Sequence, residues 1–179
     1  LQNDTYGATS VAVGSDALIT QNFTTATNVY STAVGYNAGN DITVGIRNTL
    51  IGALAGDALT DADYNVAVGM HSLGTDTLGS KSTAVGTDAL ATQNFTTATD
   101  AHNVGVGYAA GAAVTTGAQN TLIGSQAGDA VTTGYENTAL GTNALGADTL
   151  GSRTTALGRG ALMTQNFTTA TEVYNTAVG

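Results

Sequence analysis

One five-residue pattern recurs along the whole chain: a polar residue, Thr or Val, a small residue or Leu, an aliphatic residue, then Gly. It runs from SVAVG at Ser10 through NTLIG at Asn48 and NVGVG at Asn103 to NTAVG at Asn175. The closing glycines are Gly14, Gly35, Gly52, Gly69, Gly86, Gly107, Gly124, Gly141, Gly158 and Gly179. Their spacing repeats as 21, 17, 17 and 17 residues, so four units form a superperiod of 72. A second apolar anchor follows each glycine at one of two offsets. Some units place Leu four residues on (Leu18, Leu73, Leu90, Leu145, Leu162). Others place Gly there (Gly39, Gly56, Gly111, Gly128) and an aliphatic three residues later (Ile42, Leu59, Val114, Val131).

This pattern predicts an all-β fold. Apolar positions recur at 2 and 17, not at the 3.6 of a helix, and the units are rich in Thr, Val and Gly. Short strands separated by glycines able to take φ > 0 at corners describe one turn of a coil. Stacked turns form a parallel β-solenoid, or β-roll, of 17- and 21-residue rungs, with equivalent residues ~4.8 Å apart along the axis. Ten rungs then make a rod on the order of 45 Å long. Residues 1–179 read as a single repetitive segment, a window on a longer fibre. Strand alternation is expected to turn the aliphatic before each glycine, and the Thr or Val two residues earlier, into the core. The opening polar residues (Asn48, Asn65, Asn103, Asn120, Asn137, Asn175) are expected to stack as an asparagine ladder. The residue between the inward pair (Ala12, Ala33, Leu50, Ala67, Ala84, Gly105, Leu122, Ala139, Ala156, Ala177) then forms an outward stripe suited to close chain association.

Composition narrows the function classes. The 179 residues include 24 glycines and no cysteine, proline or tryptophan, and the formal net charge is −9. Without cysteine there are no disulfides and no thiolate metal sites. The four basic residues, Arg47, Lys81, Arg153 and Arg159, are scattered through an acidic chain, which argues against a nucleic-acid partner. No apolar run is long enough for a membrane-spanning helix.

Motifs such as NVAVGMHSLG, STAVGTDAL and STAVGYNAG resemble the head repeats of trimeric autotransporter adhesins, and TTGYENTALGTNALG resembles repeats of bacteriophage tail fibres. The resemblance implies a left-handed parallel β-roll, three chains side by side, and a place outside the cell, on a cell surface or virion. A thin roll of Ala, Val and Thr buries little apolar area by itself, which independently favours self-association. The expected function is a structural fibre or adhesin segment that attaches to a host or surface. Its partner is itself, as a homotrimer or stacked end to end, and a host receptor or glycan. A self-polymerising, glycosylated filament and the shaft of a phage tail fibre are the alternatives.

Nothing in the pattern points to an enzyme or a cofactor. His71 and His102 do not recur at their equivalent positions, which hold Asn143, Tyr30 and Tyr174. The aliphatic-every-six repeat of hexapeptide acyltransferases is absent. Asp57, Asp61 and Asp63 form a weak Ca²⁺ candidate, since that ion wants several oxygen ligands. The heptad QNFTTAT occurs three times, once in each 21-residue rung, where four extra residues must bulge from the rod. Its Asn22, Asn94 and Asn166 are N-x-Thr acceptor candidates for glycosylation, as is Asn3. Its Phe23, Phe95 and Phe167 either fill the enlarged corner or contact a partner.

Overall fold

The computed structural model describes residues 4–179, so Asn3 lies outside the described residues. Sixteen strands are numbered in chain order. Ten of them are the pentapeptides: β2 (Val11–Val13), β4 (Thr32–Val34), β5 (Thr49–Ile51), β6 (Val66–Val68), β8 (Thr83–Val85), β10 (Val104–Val106), β11 (Thr121–Ile123), β12 (Thr138–Leu140), β14 (Thr155–Leu157) and β16 (Thr176–Val178). They form one parallel ten-stranded sheet in simple sequence order, each strand in register with the next. Three two-stranded sheets form at the longer rungs: β1 (Gly7–Ala8) with β3 (Thr27–Asn28), β7 (Gly79–Ser80) with β9 (Thr99–Asp100), and β13 (Gly151–Ser152) with β15 (Thr171–Glu172). The fold is therefore the expected parallel β-solenoid. The closing glycines lie at φ between 120° and 158°, outside the range open to side-chain-bearing residues. The second glycine of the unit has another role: at Gly117 a Cβ would sit 2.3 Å from the Gly134 carbonyl oxygen, so it is close backbone approach that excludes a side chain.

The expected facing of the strands is inverted. The middle residues Ala33, Leu50, Ala67, Ala84, Leu122, Ala139 and Ala156 are fully buried. The Thr/Val and aliphatic residues on either side point outward and are half-buried or exposed. The Ala stripe is thus core, not an interface. Size explains the choice. Where the middle residue is Leu, the neighbouring anchor is Gly: a Cβ at Gly39 would meet Leu50 Cδ1 at 2.7 Å, and one at Gly128 would meet Leu122 Cδ2 at 2.6 Å. Where the middle residue is Ala, the anchor is Leu, except at Ala33, whose rung carries Gly39 between Leu18 and Leu50 of the rungs on either side. Large and small side chains therefore alternate within a fixed, thin interior, as close packing demands. The Leu anchors accept a left-handed backbone to get there, with φ of 49° to 55° at Leu18, Leu73, Leu90, Leu145 and Leu162.

The same facing turns the opening polar residues inward, where Asn48, Asn65, Asn103, Asn120 and Asn137 are fully buried. The ladder forms, but chiefly to backbone rather than amide to amide. Asn48 Oδ1 accepts from the Asn65 N–H at 2.9 Å, and Asn48 Nδ2 donates to the Ala62 carbonyl at 2.7 Å. Asn65, Asn120 and Asn137 repeat the scheme. Each amide thus ties three points of two rungs together, with both its oxygen and its nitrogen bonded. On another wall, threonine hydroxyls do similar work: Thr60 Oγ1 donates to the Thr77 carbonyl at 3.0 Å and Thr132 Oγ1 to that of Thr149 at 2.9 Å.

Candidate functional site

In the long rungs, backbone pairing continues in phase up to Phe95, whose carbonyl accepts from Leu78 N at 3.0 Å. It resumes where Thr99 pairs with Gly79. The insertion is therefore mainly Thr96, Thr97 and Ala98, all exposed, and the fourth extra residue is the buried Ala101. The loop is held by a residue outside the heptad. Asp76, fully buried one rung earlier, accepts from the Phe95 and Gly79 N–H groups, both at 3.0 Å, and from the Gln93 side-chain amide. Asp148 does the same for Gly151, Phe167 and Gln165, and Asp4 for Gly7, Phe23 and Gln21. Gln93 Oε1 in turn accepts from Asn103 Nδ2 at 2.8 Å, which links the loop to the asparagine ladder. The three aspartates lie 72 residues apart and 17 before each Gln. That recurrence is the sequence signal that would have found them.

Within this frame Phe23 and Phe95 are buried and Phe167 is half-buried, so the rings fill the corner and the exposed threonines around them form its surface. Asn22 and Asn166 are exposed and Asn94 is half-buried. Asn94 and Asn166 accept a threonine hydroxyl on Oδ1 at 3.1 Å, from Thr77 and Thr149, which leaves the amide nitrogen of the acceptor motif pointing away from that bond. Asp57, Asp61 and Asp63 do not converge: among the described residues no group of three or more metal-ligating side chains forms, and Asp63 Oδ1 instead accepts from Ile46 N at 2.8 Å. His71 Nδ1 lies 3.1 Å from Asp88 Oδ1 of the next rung, and His102 is exposed.

Two features were not legible beforehand. The first is the outer face of the ten-stranded sheet. Each strand presents two outward side chains, all Thr, Val, Ile or Leu, and none is charged. The aliphatic column includes Ile51, Leu140 and Leu157, each about two-fifths exposed (40%, 42% and 41%). Exposed Tyr36, Met70 and Tyr108 follow the closing glycines along one margin, and the other margin mixes Tyr30, Tyr64 and Tyr174 with Arg47, Lys81, Glu136 and Arg153. A contiguous apolar surface of this length is uncommon on a lone soluble chain.

The second is a polar corner at the third loop. Arg153 pairs with Glu136 at 3.0 Å and Glu172 at 2.6 Å, and lies over the rings of Tyr135 and Tyr174 at 5.5 and 5.4 Å. Tyr135 and Tyr174 both donate to Glu172, at 2.7 and 2.9 Å. Those bonds hold the Glu172 carboxyl below its usual range, and the same bond raises the Tyr135 phenol. The bond to Glu136 raises the Arg153 guanidinium further. Comparison with protein-family models, with curated proteins and with solved structures returns no match.

Proposed function

We propose that this chain is a structural segment of an elongated extracellular fibre or adhesin, whose copies pack side by side as a homotrimer through the outer face of the ten-stranded sheet. The observation that carries the reading is the charge-free Thr/Val/Ile/Leu surface along every rung, on a chain whose net charge is −9. Charged side chains keep soluble surfaces apart from one another. Here they are kept off one face and placed on the others. A neighbouring copy matches that face rung for rung, because both advance by the same ~4.8 Å. The side-by-side reading implied by the resemblance to autotransporter heads therefore moves from the Ala column, which is core, to the Val/Ile/Leu column on the opposite side of the strand.

Light scattering on the purified segment tests it. The expected mass is three times the 17.7 kDa of the chain. A double variant, Val85→Lys with Ile123→Lys, is expected to keep the β-rich spectrum and fall to the monomer mass. A monomeric parent chain sinks the reading.

A further inference from the structure

The superperiods are near-copies, yet at one corner their side chains differ together. The second carries Asp63, Tyr64, Lys81, Asp100 and His102; the third carries Tyr135, Glu136, Arg153, Glu172 and Tyr174 at the same positions. In the second, Lys81 bonds Asp100 alone. In the third, Tyr135 reaches past one whole rung to Glu172, and a cavity of about 240 Å³ lies beneath it. Its lining combines apolar Leu150 and Ala170 with Tyr135, Glu172 and the hydroxyls of Thr133, Ser152 and Thr171.

We propose that this cavity binds a neutral, hydroxyl-rich ligand, a single saccharide residue. The volume lies below the ~300–1,000 Å³ of pockets for drug-sized ligands, which suits one small ring. A carboxylate has about four acceptor positions. Arg153 and Tyr174 occupy Glu172 Oε2, and Tyr135 occupies one position on Oε1, which leaves one to accept from a ligand hydroxyl. Arg153 already neutralises the carboxylate, so a cation gains little there, and Glu136 and Glu172 repel anions. The Tyr135 ring is held at both ends, by its hydroxyl and by the guanidinium over its face, so it lines the cavity without further ordering cost. A sugar would lay its C–H surface on Leu150, Ala170 and this ring, and turn its hydroxyls to Glu172, Ser152 and Thr171. The cavity lining lies in and around the β13–β15 sheet, beside the margin of the ten-stranded face that Arg153 and Tyr174 occupy.

Saturation-transfer NMR with D-glucose, D-galactose and N-acetyl-D-glucosamine at millimolar concentration tests the proposal. Transfer from the protein to at least one sugar is expected. Tyr135→Ala should abolish it, and Glu172→Gln should weaken binding roughly tenfold. Tyr64→Ala, on the corresponding corner of the second superperiod, should leave it unchanged. Circular dichroism checks that each variant keeps its β-rich fold; if Tyr135→Ala does not, Glu172→Gln decides alone. The proposal is overturned if none of the three sugars receives transfer, or if transfer is unaffected by the variants that fold.

Discussion

Gln21 is fully buried, and its Oε1 has no donor. In the second long rung the corresponding Gln93 Oε1 accepts from Asn103 Nδ2, and in the third Gln165 Oε1 accepts from Asn175 Nδ2. The first copy carries Ser31 where those rungs carry Asn. Ser31→Asn should satisfy Gln21 and add the bond to the next corner that Asn103 makes to the Gly117 carbonyl. A gain of about 1 kcal/mol in urea unfolding is expected; no gain, or a loss, would mean the first rung is not built like the second. Asp57 and Asp129 give a second residue-scale test. Burial raises both carboxyls above their ordinary value of 3.8. A carboxyl with a raised folded pKa costs stability while it is ionised, and that cost shrinks as pH falls through the folded pKa. Asp57→Asn and Asp129→Asn should therefore raise the melting temperature at pH 7, by an amount that fades as pH approaches 4. The rung before Asp57 already carries Asn40 in this column. An equal gain at both pH values would rule out the ionised carboxylate as the cause.

The long rung behaves as an element because of Asp76. Removing its carboxylate by Asp76→Ala strands the Phe95 and Gly79 N–H groups in the interior and leaves the Gln93 amide nitrogen only its bond to Ser82 Oγ. Each buried unsatisfied group costs about 1–3 kcal/mol, so a loss of at least ~2 kcal/mol is expected. Amide hydrogen exchange at Phe95 and Gly79 should speed up while the amides of β4–β6 stay protected; unchanged exchange at Phe95 would exclude the staple. The rung lengths, the bulge and its phase were all readable from glycine spacing. The staple's aspartate recurs 17 residues before each Gln, but its role was not readable, because it acts a rung away on backbone N–H groups that no side-chain pattern marks. The heptad itself resolves into parts: Gln and Phe build the corner, and the exposed threonines make its surface.

At the scale of the whole molecule, each rung bonds only to its neighbours, so rungs should be removable in whole superperiods. Deleting residues 36–107 joins Gly35 to Tyr108, and the rung after the junction is of the same type as the one removed. The shortened chain should keep its β-rich spectrum and a cooperative melt at a somewhat lower temperature, whereas an unfolded product would contradict nearest-neighbour stability. The sequence by itself determined the period, the parallel stacking, the corner glycines and the place of the long rungs, since each of these repeats at a fixed spacing. Only the tertiary structure decided which side of each strand is the interior. Both sides of the pentapeptide are apolar, so alternation alone is satisfied by either facing. The choice falls to volume and hydrogen bonding: Ala, Leu and Gly fit a thin core column by column, and the buried asparagines need backbone partners on the next rung. That choice places the Val/Ile/Leu column on the surface, and the contact between rungs 37 residues apart builds the Tyr135–Glu172 corner, which no local pattern encodes.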